Sequence, residues 1–131
     1  MKNRITGKIG EKYAEFFLTT QGYKTLYTNY YCQFGEIDVI AIDYPHGYSP
    51  DYSKSELVFI EVKTKKTSIF GTSIEAVTKN KKRKIIKTVF HFFQNSKIAL
   101  PKHWRIDLIA IELEKTYKIK TLTHLKNIIN G

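Results

Sequence analysis

With one cysteine, Cys32, the chain cannot form an internal disulfide, and a reducing, cytoplasmic setting is expected. The four histidines, His46, His91, His103 and His124, are scattered and share no zinc-ligand spacing with Cys32. No apolar run approaches the about 20 residues that cross a bilayer. Met1-Lys2-Asn3-Arg4-Ile5-Thr6-Gly7 lacks the apolar core of a leader peptide, so no membrane partner is expected. There is no glycine-rich phosphate loop, dinucleotide fingerprint or nucleophile elbow, and no nucleotide cofactor is expected either. Acid is scarce. Twelve Asp and Glu face 22 Lys and Arg, for a formal charge of +10. A small protein this basic is expected to meet a polyanion, with nucleic acid ahead of an acidic membrane surface.

The hydrophobic fraction, 42%, excludes a disordered tail, and 131 residues suffice for one core but not comfortably for two, so residues 1–131 read as a single domain. The first helix is expected from about Lys8 to Gln21. Ile5, Ile9, Tyr13, Phe16 and Phe17 fall on one face at helical spacing, Ala14 and Leu18 widen it, and Gly22 ends it. By pattern alone Glu11 is a solvated flank residue of that helix. The aromatic and threonine-rich Tyr23–Cys32 reads as an outer strand.

Two core-type strands follow. Leu57-Val58-Phe59-Ile60 is an apolar run of the kind buried on both faces, and it ends in Glu61-Val62-Lys63. Alternation puts Leu57, Phe59, Glu61 and Lys63 on one face and Val58, Ile60 and Val62 on the other. Glu61 and Lys63 alone could be an ion pair at a fraying strand end. In the earlier strand, Glu36–Ile42, the same alternation sets Asp38 on the face of Ile40 and Ile42, an unusual place for an acid. Residues 43–56, with Pro45, Gly47 and Pro50, read as the loop joining the two strands in antiparallel fashion. If Ile42 pairs with Leu57, Asp38 falls opposite Glu61. Two like charges so opposed are destabilising unless a cation lies between them, which favours a metal site over an ion pair.

Thr72-Ser73-Ile74-Glu75 has capping-box spacing and opens a second helix over residues 72–95, whose apolar stripe (Ile74, Val77, Ile85, Ile86, Val89, Phe90, Phe93) is interrupted at Lys81. Between Lys63 and Lys87 there are nine basic residues and one acid, Glu75. A solvated face is one reading of that run; phosphate contact by Lys65, Lys66, Lys79, Lys82 and Arg83 is the favoured one. Trp104–Glu112 is a third core strand in which Arg105 and Asp107 read either as structural or as supporting the site residues. Glu114–Lys120 is expected to extend it or add a strand, and residues 122–130 to form a short helix or tail. The expected fold is α/β, an α-β-β-β-α-β core with helices packed on a small mixed sheet.

These segments resemble the YraN-like family of predicted endonucleases, in the PD-(D/E)XK superfamily and related to archaeal Holliday-junction resolvases. The resemblance rests on Gly7-Lys8-Ile9-Gly10-Glu11, Gly35-Glu36-Ile37-Asp38-Val39-Ile40-Ala41, Phe59-Ile60-Glu61-Val62-Lys63-Thr64, Phe70-Gly71, Ala76-Val77 through Lys82 and Ile85, and Arg105-Ile106-Asp107-Leu108, in the family's order. Ile37 stands where the superfamily consensus has proline, and the loop at 44–56 is longer than usual. The resemblance implies a restriction-endonuclease-like fold and metal-dependent hydrolysis of phosphodiester bonds in DNA, branched recombination or repair intermediates included. It implies that Asp38 and Glu61 bind Mg2+ or Mn2+ with the main-chain carbonyl of Val62, that Lys63 orients or activates water, and that Glu11 assists. It also implies a homodimer, for which Tyr27–Tyr31 and Phe90–Phe93 offer surface unless they are core. The alternative is a non-catalytic nucleic-acid-binding or adaptor protein of the same fold.

Overall fold

The computed structural model describes residues 4–67 and 79–129. The elements run α1 (Arg4–Thr20), β1 (Lys24–Cys32), β2 (Gly35–Asp43), β3 (Glu56–Lys66), α2 (Lys79–Asn95), β4 (His103–Leu113) and β5 (Ile119–Leu125). The five strands form one sheet in sequence order. Pairing is antiparallel except between β3 and β4, which are parallel and joined through α2. This is the expected mixed α-β-β-β-α-β core with one more strand at its end. Among the described residues no helix is long and apolar enough to cross a membrane.

The alternation of β3 divides the core in two. Val58, Ile60 and Val62 join Ala14, Leu18 and Tyr23 on the α1 side, with Val39, Ala41, Ile109 and Ile111. Leu57 and Phe59 join Ile85, Val89 and Phe92 on the α2 side, with Ile40, Ile42, Ile106 and Leu108. A strand flanked by β2 and β4 and covered on both faces has to be apolar on both faces, which is what the run Leu57–Ile60 supplies.

Helix α1 is rotated from the expected phase. Its buried line is Thr6, Gly7, Gly10, Ala14 and Leu18, while Ile5 and Phe16 are 62% and 71% exposed. Small residues face the sheet because the helix lies very close to it, and the bulky Ile9, Tyr13 and Phe17 pack around that contact. The helix closes on Gly22, at φ +87°: the Tyr23 N–H donates to the Leu18 carbonyl and the Gly22 N–H to the Thr19 carbonyl. That is the Schellman arrangement, which favours glycine at the left-handed position.

Three further expectations change. The stripe of α2 is centred on Ile85, Thr88, Val89 and Phe92, and Phe90 is exposed. Phe92 was not expected in the stripe, yet its ring meets Tyr27, Tyr30 and Phe59 edge-on at centroid distances of 5.3 to 5.7 Å. Of the aromatic surface considered for a dimer, Tyr27, Tyr31 and Phe90 therefore face outward and Phe92 is core. Of the expected helix or tail over 122–130, residues 122–125 instead belong to β5, which pairs Leu108 with Leu125 through Leu113 with Ile119, and 126–129 follow as a tail. The capping box Thr72–Glu75, Ile74, Val77 and Phe70-Gly71 lie outside the described residues.

The closeness of α1 is testable. A Cβ at Gly10 would lie 1.8 Å from Thr64 Oγ1 and 2.6 Å from Thr64 Cβ. Gly10→Ala is expected to destabilise the fold by about 1–3 kcal/mol through overpacking. Adding Thr64→Ala should recover most of the loss, as read by urea unfolding. A Gly10→Ala protein as stable as the parent would contradict this packing.

Candidate active site

The last paired residues of β2 and β3 are Val39 and Ile60, with Ile42 opposite Leu57 as expected. One step further the same register sets Asp38 opposite Glu61. There the ladder gives way, and Asp38 Oδ2 accepts the Val62 N–H at 2.7 Å, a side-chain oxygen bonding the neighbouring strand's main chain. Asp38 and Glu61 are 6% and 7% exposed. They line a cleft of about 260 Å³ on the α2 side of the sheet, together with Glu36, Lys81, Lys84 and Ile85.

The cation beside Glu61 is Lys81, with Nζ 2.9 Å from Oε1. Burial pulls the Lys81 pKa down, but the hydrogen bond and charge of Glu61, then the charges of Asp38 and Glu36, outweigh it and hold it above the ordinary lysine value. Lys63, on the Glu61 face and half-buried, makes no hydrogen bond or ion pair among the described residues. Lys81 was legible only as a break in the apolar stripe of α2. Lys81, Ile85, Thr88 and Phe92 follow one another at intervals of four, three and four, so Lys81 occupies a sheet-facing position of the helix. A lysine at such a position, like an aspartate on an isoleucine face, was the available signal.

Other site residues are distributed less compactly. Glu11 is half-buried on α1, in the opposite layer, and is not part of the cleft; its neighbour Gly10 abuts Thr64 of β3. Val62 turns its side chain into the α1-side core and meets the site through its main chain. Lys65, Lys79 and Arg83 are exposed and Lys82 is half-buried. Lys66 lies over the ring of Tyr117, 3.8 Å from its centroid, a residue packed on the α1-side core. Its ammonium is thus spent on an aromatic face away from α2. Among the described residues no group of three His, Cys, Asp or Glu side chains converges as a ready metal cage. Mg2+ does not require one, because it keeps several waters and binds through one or two carboxylates.

A second polar cluster forms at the other end of β3, on the α1 side. Arg105 is bonded to Asp43 (3.0 Å), Glu56 (3.3 Å) and Asp107 (3.0 Å), and donates through Nη2 to the Tyr23 hydroxyl at 2.8 Å. Asp107, fully buried, also meets His124 Nε2 and accepts the Asn127 N–H, each at 2.8 Å. Burial would raise the Asp107 carboxyl, but the bonds from His124, Arg105 and Asn127 hold it below the usual range. Of the two roles expected for Arg105 and Asp107 the structural one fits: they bind β4 to β2, β3 and β5 and to Tyr23, just before β1.

The family model described as "Uncharacterised protein family UPF0102" matches residues 10–111. The chain belongs to this family. A UPF0102 protein of Psychromonas ingrahamii is 39% identical over 110 residues, 84% of this chain and 80% of its own length. One from Caldanaerobacter subterraneus subsp. tengcongensis is 35% identical over 133 residues, 100% of this chain and 97% of its own. One from Alkaliphilus oremlandii is 36% identical over 128 residues. The segment matched by the UPF0102 (YraN-like) model contains Glu11, Asp38, Glu61, Lys63 and Lys81 and stops within β4, so β5 lies beyond it.

The Arg105 cluster sets an alkaline limit on stability. Burial is the main cause that pushes Tyr23 from 10.0 to about 12. A group whose pKa is raised on folding adds stability that is complete below its unfolded value and is lost as pH climbs through its folded value. The contribution of Tyr23 should therefore fade between pH 10 and about pH 12. Tyr23→Phe, which cannot ionise, is expected to lose less unfolding free energy than the parent across that window in denaturant titrations. Parallel pH profiles would show that Tyr23 is not buried as described.

Proposed function

We propose that this protein is a divalent-metal-dependent endonuclease of the PD-(D/E)XK type, hydrolysing phosphodiester bonds in DNA and acting on branched or repair intermediates. The observation that carries the reading is the pair of buried carboxylates, Asp38 and Glu61, brought opposite one another where the pairing of two core strands ends, with a cation already drawn to them. A structural role alone gives no reason to bury two opposed acids beside a cleft. The hard oxygen donors suit Mg2+ or Mn2+.

Asp38, Glu61 and the Val62 carbonyl would hold the ion. A bound ion of this kind polarises the scissile phosphate and makes hydroxide accessible near neutral pH. Asp38 is fixed by the Val62 N–H and so presents its carboxylate without rotamer loss. Lys63, on the face of Glu61, is assigned to the phosphate and the attacking water, either by stabilising charge or by moving a proton. Glu11, a layer away, acts through intervening groups. Lys79, Lys82 and Arg83, with Lys65, hold the backbone. Two exposed tyrosines of β1, Tyr27 and Tyr31, are the surface for a second copy if two strands are cut.

Asp38→Asn is expected to reduce Mg2+- or Mn2+-dependent cleavage to background, while metal-free DNA affinity stays the same or rises because a negative charge has gone. Lys63→Ala should lower cleavage by about a hundredfold or more, the scale of a positioned proton-transfer group. Linear, branched and single-stranded DNA and RNA, assayed with identically purified proteins, would define the substrate. If both variants cleave like the parent, the carboxylates are a structural cluster and the protein is a binding module or adaptor.

Phosphate contact has a separate readout. Alanine at Lys79, Lys82 and Arg83 together should weaken binding to all sequences alike and flatten its salt dependence by roughly one unit of log–log slope per lost contact. Unchanged slope would remove α2 from the interface.

A further inference from the structure

The two partners of the Glu61–Lys81 pair are held very differently. Glu61 projects from the middle strand of the sheet, between β2 and β4, and its side chain is 8% exposed. Lys81 reaches it from the beginning of the described part of α2, on a flexible four-carbon stem, with a side chain 48% exposed. The carboxylate is thus fixed and the ammonium is the exchangeable half. The cleft they share is also lined by Asp38 and Glu36 from β2 and by Lys84 from α2, so three carboxylates on the strand side face two lysines on the helix side.

We propose that Lys81 holds the place of the metal at Glu61, as a built-in monovalent counter-cation that a divalent ion displaces from the cleft. The inference rests on the metal-site reading above and assigns Lys81 a role in it. An ammonium within hydrogen-bond reach of Glu61 and a divalent ion on the same carboxylate are like charges a few ångströms apart beside buried walls, where repulsion is weakly screened. The two therefore compete. Without metal, Lys81 neutralises a carboxylate that would otherwise be buried uncompensated, and the fold tolerates the site. With metal, the side chain swings out on its stem to the mouth of the cleft, next to Lys84 and the basic face of α2. Lys81 is in this sense a positioning residue: it acts on Glu61 and on the occupancy of the site.

The test is Mn2+ binding by calorimetry, in parallel with thermal unfolding, on the full chain without DNA. Lys81→Met, which keeps the stem and loses the charge, should bind Mn2+ at least about tenfold more tightly than the parent. It should melt at a lower temperature without metal and regain the loss when Mn2+ is added. Lys81→Arg, whose planar fork pairs more firmly with a carboxylate, should bind Mn2+ several-fold more weakly and keep its metal-free melting temperature. Opposite shifts in the two variants support the proposal, and the Arg variant alone decides it if the Met variant does not fold. If all three proteins bind Mn2+ equally, or if Lys81→Met binds it more weakly, Lys81 does not compete with the ion; the proposal is overturned and the metal site stands. If the parent and both variants all fail to bind Mn2+, the metal-site reading itself is wrong and the inference falls with it.

Discussion

The bond from the Val62 N–H to Asp38 Oδ2 marks the place where two core strands stop behaving as a ladder. Up to Val39 and Ile60 the main chain pairs regularly, and the side chains are apolar on both faces. A buried N–H beyond that point needs an acceptor, and the acid on β2 supplies it. That substitution explains several other features. It buries a carboxylate on an isoleucine face, it fixes Glu61 one register step away, and it creates a negative cleft that calls Lys81 in from α2.

The structure keeps its two polar clusters apart. Arg105 and its carboxylates sit at the start of β3 in the α1-side layer, paired with one another across three strands. Glu61, midway along β3, and Asp38 opposite it on β2 sit in the α2-side layer and line a cleft with Lys81 and Lys84. The same strand thus joins the ion network that holds the sheet together with the acids that line the cleft. Burial alone does not separate them, since Asp107 is the more deeply buried of the acids. What distinguishes Asp107 is its set of partners, Arg105, His124 and the Asn127 N–H, whereas Asp38 and Glu61 line the cleft with Lys81 and Lys84.

Much of this was legible in the sequence because strand alternation is rigid. Once Ile42 is set opposite Leu57, the position of Asp38 against Glu61 follows, and the structure has that pairing. The closure of α1 at Gly22 was legible for a similar reason, since few residues accept a left-handed φ. Helix phase was less secure. A stripe of bulky residues suggested Ile5 and Phe16 as core, but the helix approaches the sheet along Gly7, Gly10 and Ala14, and small residues give no hydrophobic signal. The edge strand β5, with its threonines and lysine, is only half-covered and carries no apolar run to announce it. Lys81 shows in the sequence only as a break in the stripe of α2, because its role depends on what faces it across the cleft.

The strand order has a consequence for how the molecule assembles. β1, β2 and β3 are neighbours in both sequence and space, so their contacts close short loops, whereas β4 joins β3 only after the chain has run out through α2 and back. Short closures cost less entropy and tend to come first. The three acids of the cleft, Glu36, Asp38 and Glu61, belong to that early meander, and the lysines that face them, Lys81 and Lys84, belong to the crossover. Their mutual repulsion is therefore met on the way up the folding barrier and relieved on the way down, so that ionic strength should change the speed of folding more than the depth of the native well.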